Sequence, residues 1–253
     1  MLVILSGSSG AGKNTVINEL VKRFGEYELL PTFTTRTRRE NEFQGNPYYF
    51  VTVREFERMI KCDELIEHQL VHKNFYGVSR KVLLERAKSD KILIKDIDVL
   101  GTINLLDEIK YETKILTFFY DVKSKDVLVE RLVQRQENDI DLRLARYDLE
   151  KSLSSKYDYI LENNDVERTI ILTRQVVEFE MNGGLLLPAY PAVSIDEKKV
   201  RELADSILNG AVLPGIDVAV RDGRVYIIDG HHRYQAAILA KSRIAKRIIV
   251  EPQ

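Results

Sequence analysis

Apolar residues along this chain fall into two patterns that alternate, short unbroken runs and runs spaced three and four apart. Leu2 to Leu5 is unbroken, as in a strand buried on both faces, and Val16, Ile17 and Leu20 then repeat on one helical face. The same succession recurs downstream. Tyr48 to Val53 predicts a strand, and a helix follows from about Arg54 to Cys62 with Phe56, Met59 and Ile60 inward. Glu64 to Val71 predicts another strand and Arg80 to Ser89 a helix, while His72 to Ser79 between them carries no assigned element. Lys91 to Asp98 predicts a strand ending in acids, Gly101 to Ile109 a helix, and Lys114 to Tyr120 a central strand rich in β-branched and aromatic residues. Ser124 to about Asn138 predicts a helix, followed by a second helical run with Arg143 and Arg146. Tyr157 to Leu161 is a short strand and Val166 to Glu180 a closing helix. Strands alternating with helices predict an α/β fold, a parallel sheet with helices on both faces and ligands beyond the C-terminal strand ends.

Asn182-Gly183-Gly184 breaks that pattern, which divides the chain into a domain at 1–181 and a smaller α+β domain at 182–253. Leu185 to Pro191 reads as a strand or packed linker. Ser194-Ile195-Asp196-Glu197 reads as a capping box before a helix carrying Val200, Leu203, Ala204, Ile207 and Leu208. Ile216 to Val220 and Arg224 to Ile228 predict a hairpin turning at Asp222-Gly223. A helix from Tyr234 to Lys241 and a strand from Ile244 to Val250 complete the tail.

Composition narrows the class. At 253 residues, 44% of them hydrophobic, the chain can fill real cores, and its net charge of −1 shows no overall pull toward nucleic acid or membranes. The lone cysteine, Cys62, excludes an internal disulfide framework and fits a reducing compartment. No apolar run approaches the roughly 20 residues that span a bilayer. The expectation is a soluble cytoplasmic protein.

The chemistry begins at Gly7-Ser8-Ser9-Gly10-Ala11-Gly12-Lys13, with Asn14 and Thr15 opening the helix behind it. Strand, glycine-rich turn and helix form the setting of a phosphate-binding P-loop. The glycines let backbone N–H groups curl around phosphate, the helix points its positive end there, and Lys13 adds a point charge. Asn14 stands where a hydroxyl residue would reach Mg²⁺; its amide oxygen can take that place. Arg36, Arg38 and Arg39 form either an anion site or a solvated charged loop. Asp96 closes a strand, where a P-loop enzyme holds its Mg²⁺ shell; a simple helix cap is the alternative.

Over about residues 1–180 this series resembles guanylate kinases. The matching residues are Gly7 to Lys13; Thr34-Thr35-Arg36 with Arg39 and Glu42; Gly45 and Tyr48; Ile66-Glu67; Phe75-Tyr76-Gly77; Asp96-Ile97-Asp98 with Gly101; Arg131-Leu132 with Arg135; Arg143; and Tyr157 to Ile160. The resemblance implies transfer of the ATP γ-phosphoryl to GMP, dGMP or a related nucleotide, with Mg²⁺. It implies that Arg36, Arg39, Tyr48 and Tyr76, with Glu42 beside them, hold the acceptor monophosphate. Glu67 and Asp98 would read the guanine N1 and N2 donors and Thr32 would donate to O6. Asn14 and Asp96 would flank Mg²⁺, and Arg131, Arg135 and Arg143 would close over the transferring group. Three positions depart from the family: Asn14, Val78 after the Tyr-Gly pair, and Leu100 in place of a glutamine. Val78 and Leu100 are expected near the acceptor.

From about residue 185 to 253 the tail resembles the ParB/sulfiredoxin fold, through Tyr226-Ile227-Ile228-Asp229-Gly230-His231-His232-Arg233. That resemblance implies a loop, Asp229 to Arg233, that binds a second nucleotide or a phosphate at a helix N-terminus. The absence of cysteine here speaks against the reductase chemistry of some members. A helix cap is the alternative for His231 and His232. The basic cluster Lys241, Arg243, Lys246 and Arg247 is expected to be solvated surface, with DNA as a weaker partner. Two rival functions remain open: a kinase of a modified nucleotide or small molecule, such as free serine at the tail, and a non-catalytic binding module.

Overall fold

The computed structural model describes residues 1–40, 42–45, 47–71, 73–109, 112–134, 140–190 and 194–250. The chain forms two compact units, one of residues 1–4 and 17–116, the other of residues 5–16 and 117–253.

The first unit opens with strand β1 (Leu2–Ser6), which runs into the second, and helix α1 (Lys13–Arg23), which enters from it. It continues through β2 (Tyr27–Leu29), β3 (Thr32–Thr34), β4 (Phe43–Gln44), β5 (Pro47–Phe50), α2 (Val53–Lys61), β6 (Leu65–Val71), β7 (Asn74–Ser79), α3 (Arg80–Arg86), β8 (Ile92–Asp96) and α4 (Val99–Ile109). β8 lies between β1 and β2 and pairs in parallel with β2. Leu2, Ile4, Leu30, Ile66, Val78, Leu83 and Leu93 pack into one core beside this layer. The helical spacing of α2 buries Phe56 and Met59, and the Thr52 side chain caps its start by accepting from Glu55 N.

A second sheet of five strands, in the order β4-β5-β3-β7-β6, departs from the single parallel sheet that the alternation predicts. β7 is antiparallel to both β3 and β6, with Thr34 opposite Tyr76 and Glu67 opposite Val78. Gly77 conceals this strand in the sequence, because glycine punctuates strand patterns. Its role is packing: a Cβ there would stand 2.9 Å from Leu65 Cδ1 and from Phe56 Cζ. Val78 is fully buried in the core, so it fills space across the strand from Glu67. Leu100 is 45% exposed on the first turn of α4.

The second unit takes the loop after β1 and then β9 (Ile115–Asp121), whose last residues belong to it, α5 (Lys125–Gln134), α6 (Ile140–Ala145), α7 (Tyr147–Ser152), β10 (Tyr159–Glu162) and α8 (Val166–Met181). It continues with β11 (Leu187–Pro188), α9 (Glu197–Leu208), β12 (Ile216–Arg221), β13 (Arg224–Asp229), α10 (His231–Leu239) and β14 (Lys246–Ile248). The strands run in the order β11-β13-β12-β14-β10-β9. The β12–β13 hairpin turns at Asp222 and Gly223, with φ of 50° and 70°, as a tight primed turn requires.

The tail strand β14 lies in parallel between β12 and β10, with Ile160 opposite Arg247 and Leu161 opposite Ile248. Side chains reinforce that seam. Lys246 Nζ sits 4.6 Å from the centre of the Tyr159 ring, and Arg243 lies 3.7 Å from the Asp158 carboxylate. Arg247 forks onto Asp217 at 2.8 and 2.9 Å. Three of the four cations expected to be plain solvated surface are thus engaged by neighbours.

The capping box also takes a different form. Asp196, not Ser194, caps α9, accepting from Lys198 N and Lys199 N. The back-bond to the cap's own N–H, which a glutamate would make in a capping box, comes from His232: its Nε2 accepts from Asp196 N at 3.0 Å. His232 therefore ties the start of α10 to the start of α9. His232→Ala leaves that N–H without its partner and is expected to cost about 1 kcal/mol, read as an earlier urea midpoint with an unchanged slope.

Candidate functional site

The loop between β1 and α1 is held in a shape open only to its particular residues. Gly7, Gly10 and Gly12 have φ of 134°, 89° and 87°, which disfavour side chains. At Gly7 a Cβ would lie 2.2 Å from the Tyr120 carbonyl oxygen, and at Gly12 2.4 Å from Asn163 Nδ2. Ala11 N donates to Ser8 O at 3.0 Å to close the turn. Lys13 Nζ donates to the carbonyls of Gly7 at 2.6 Å and Ser8 at 3.1 Å, which fixes its charge at the loop. Asn14 and Thr15 are exposed on the first turn of α1.

Two of the three expected lid arginines reach this loop. Arg143 Nη1 donates to Ser9 Oγ at 2.7 Å. Arg131 donates to Asn163 O at 2.8 Å and approaches Gly10 O at 3.4 Å. Arg135 lies outside the described residues. Charge, oriented N–H groups and a helix start therefore converge on one place, the arrangement that holds a polyphosphate.

Asn163 escaped the sequence reading. It is fully buried, donates from Nδ2 to Ala11 O at 2.7 Å, and its own N–H donates to Asp121 O. Its Oδ1 accepts from Thr169 Oγ1 at 2.9 Å. The signal was present as a polar trio, Asn163-Asn164-Asp165, directly after a strand, but it reads equally as the cap of α8, a task that falls to Asp165. Asn163→Ala is expected to weaken polyphosphate binding at the loop about tenfold or more and to lower the melting temperature, because Ala11 O loses its donor and the loop its brace.

The first unit carries a second cluster. Arg36 Nη2 donates to Glu42 Oε1 at 2.6 Å, and the guanidinium lies 5.3 Å from the Tyr48 ring centre and 5.5 Å from that of Phe50. Glu42 also accepts from Arg39 N at 2.8 Å, which curls the arginine loop on itself, while Arg39 is exposed. The Tyr48 and Tyr76 rings meet edge to face at 6.0 Å. Burial raises the Tyr48 phenol above its ordinary pKa, which keeps it a hydrogen-bond donor. The Arg36 hydrogen bond holds the Glu42 carboxyl below its usual range.

Glu67 is the perturbed carboxylate of this cluster. Burial, then the neighbouring Asp98, pushes its pKa up to about 7; Lys95 pulls the other way and Asp96 adds to the rise. Lys95 Nζ lies 3.8 Å from Asp96. Asp98 Oδ1 accepts from Leu100 N and Gly101 N at 3.0 Å each, so Asp98, not Asp96, starts α4. Thr32 is 3% exposed and its Oγ1 has no hydrogen-bond partner among the described residues. A buried hydroxyl in that state costs about 1–3 kcal/mol, so it marks a place where a ligand atom fits.

In the tail, Gly230 begins α10 with φ of 92°. A Cβ on it would stand 2.6 Å from Ile216 Cγ2. Arg233 donates to Asp229 at 3.1 Å. His231 Nε2 and Arg233 Nε are buried without a hydrogen-bond partner among the described residues. Across the described residues no group of three or more His, Cys, Asp or Glu is placed to hold a metal ion. No helix among them is long and apolar enough to cross a membrane.

A strand, a glycine loop braced on all sides, a lysine folded onto it and two arginines that reach it define a P-loop phosphate-binding protein. The guanylate kinase family model matches residues 1–180, and the chain belongs to that family. A ParB N-terminal domain model matches residues 174–253. The guanylate kinase of Campylobacter jejuni (strain RM1221) is 34% identical over 180 residues, which cover 70% of this chain and 87% of that one. That of Fusobacterium nucleatum subsp. nucleatum is 35% identical over 170 residues, covering 66% and 90%. Among solved structures, guanylate kinase from Anaplasma phagocytophilum superposes with a TM-score of 0.55 at 29% identity, covering 71% of this chain and 85% of that one.

Proposed function

We propose that residues 1–181 transfer the γ-phosphoryl group of Mg·ATP to GMP or dGMP, and that residues 182–253 form an accessory module with its own nucleotide or phosphate ligand. The observation that carries the kinase reading is the convergence of Lys13, Arg131 and Arg143 on the Gly7–Gly12 loop. Phosphoryl transfer asks little covalent chemistry of a protein; it asks for positioning and for positive charge around the equatorial oxygens. The loop N–H groups and Lys13 bind and orient the donor phosphates, and Arg131 and Arg143 stabilise the charge that develops. Arg135 joins them in this reading.

Mg²⁺ fits the donor set. It takes one or two protein oxygens and fills the rest of its octahedron with phosphate and water. The exposed Asn14 amide, in the unit that carries the loop, would supply an oxygen of that kind. The ion would neutralise charge on the β- and γ-phosphates.

On the acceptor side, Arg36 and Arg39 pair with the monophosphate while Tyr48 and Tyr76 donate to it, and Glu42 holds Arg36 in place. Glu67 and Asp98 accept from the guanine N1–H and N2–H₂ groups, and the unpartnered Thr32 hydroxyl donates to O6. Adenine offers neither that N1–H nor a carbonyl. In the tail, the N–H groups at the start of α10 behind Gly230, with His231, His232 and Arg233, form the anion loop. The buried unpartnered atoms of His231 and Arg233 support a ligand there. A soluble cytoplasmic setting agrees with the absence of a spanning helix among the described residues.

An acceptor panel tests the proposal. With Mg·ATP, the full chain should turn over GMP and dGMP at least about a hundredfold faster than AMP. Turnover of free serine in preference to every nucleotide would move the chemistry to the tail.

A further inference from the structure

A lysine side chain lies inward among the acids of the first unit. Lys95, in β8, shares a strand face with Leu93, which packs in the core with Ile66, Val78 and Ile97. Its side chain is only 14% exposed. The Asp96 carboxylate is 3.8 Å from Lys95 Nζ, too far for a hydrogen bond, and among the described residues the ammonium makes none. Burial lowers the Lys95 pKa, and the Asp96 and Glu67 carboxylates pull it back up. A desolvated ammonium carries three N–H donors, and its cost is offset only where they find acceptors.

The groups around Lys95 belong to the acceptor cluster. Glu67 and Asp98 meet at Gly101, where a Cβ would stand 3.1 Å from Glu67 Cγ and 3.5 Å from Asp98 Oδ2. Leu29 pairs with Ile94, and Leu30 N donates to Ile94 O at 3.0 Å, so Thr32 emerges just past the end of β8. Lys95 therefore shares that strand end with the buried Thr32 hydroxyl, while its charge acts on Glu67. Val78, opposite Glu67, is apolar and brings no donor. The cluster thus holds two carboxylates beside two donors without a hydrogen bond, the Thr32 hydroxyl and the Lys95 ammonium.

We propose that Lys95 determines base specificity in the acceptor site, its ammonium donating to the guanine O6 carbonyl together with Thr32. The proposal rests on reading this cluster as the guanine site. A carbonyl oxygen has two lone pairs, so it takes one hydrogen bond from each donor. O6 adjoins N1–H, the group read by Glu67, and a cation that acts on Glu67 suits the next atom around the ring. Lys95 also sharpens discrimination. The carboxylates alone would accept from the 6-amino group of adenine, whereas an ammonium there turns donor against donor.

Calorimetric titration of the full chain tests this without relying on turnover. Three nucleotides are titrated into the wild type, Lys95→Met and Lys95→Gln: GMP, 6-thio-GMP, whose sulfur is a weaker acceptor than O6, and 7-deaza-GMP, which keeps O6 and loses N7. Circular dichroism melts show that each variant folds, and the glutamine keeps a polar group in place should the methionine variant not fold. Lys95→Met is expected to bind GMP and 7-deaza-GMP at least about tenfold more weakly than the wild type does, and 6-thio-GMP within about threefold of it. Lys95→Gln, a neutral donor, should fall between the two proteins. An equal loss with all three nucleotides would mean that Lys95 acts through Glu67 and not on O6, and a loss that vanishes with 7-deaza-GMP would move the contact to N7. Either result overturns the proposal, as does GMP binding unchanged in the folded variants or a wild type that binds no GMP at millimolar concentration. Failure of the kinase reading shows separately, as GMP binding without ADP formation from Mg·ATP.

Discussion

Replacing Lys13 with alanine is expected to lower ADP formation from Mg·ATP and GMP by about a thousandfold or more while the chain stays folded. The loop does not depend on Lys13 for its shape. Glycine φ values, the Asn163 brace and the close approach of Tyr120 to Gly7 set that. What Lys13 brings is a cation anchored over the carbonyls of Gly7 and Ser8, at the helix start where the proposed donor phosphates would lie. Removing it takes away charge that counts most when the transferring oxygens carry most. The loss should therefore appear in kcat more than in KM, with the melting temperature shifted by no more than a few degrees. Stopped-assay kinetics and a thermal melt on the same preparation check both halves. A Lys13→Ala protein with wild-type turnover would mean that the loop is not the donor site.

The second large effect is at Glu67, where stability and binding move in opposite directions. Its pKa of about 7 lies above the ordinary carboxylate range because burial and Asp98 disfavour the charge. The folded state thus binds this proton more tightly than the unfolded chain does. Stability is fullest below about pH 4.5 and falls as pH rises through the folded pKa, by about 3 kcal/mol at most. Glu67→Gln removes that cost, so the variant should melt higher than the wild type at pH 8 and close to it at pH 5. In the proposed role at guanine Glu67 acts in its ionised form, since only a carboxylate accepts both N1–H and N2–H₂. The wild-type KM for GMP should therefore rise as pH falls below about 7, approaching tenfold per pH unit. In Glu67→Gln this pH dependence should vanish and kcat/KM for GMP should fall about a hundredfold or more, because the amide turns a donor toward a donor. A structural carboxylate would give the stability change without the loss of GMP.

The parts of this molecule legible in its sequence are those whose chemistry is local. Gly7 to Lys13 announces itself because each residue type meets a need of its own turn. The hairpin at Asp222-Gly223 is legible for the same reason. Arg131 and Arg143 were found through resemblance, since nothing in their own helices says that they turn toward Ser9 and Gly10. β7 was hidden by Gly77, whose small size serves Phe56 and Leu65 at a distance in sequence. Asn163 was hidden because a polar residue after a strand also suits a helix cap. The insertion of β14 between β12 and β10, and the reach of His232 to Asp196, are contacts between distant segments with no periodic trace. Val78 stood out as a departure beside the acceptor, and its burial in the core gives that departure a packing role.

The most direct measurement is a single-turnover experiment in which the full chain, in excess, meets Mg·ATP labelled at the γ-phosphate together with GMP. The label should appear in the β-position of GDP, with little in inorganic phosphate, and should stay in ATP when Lys13→Ala replaces the wild type. Label that goes to inorganic phosphate, or that remains in ATP with the wild-type protein, would contradict phosphoryl transfer to GMP as the work of this chain.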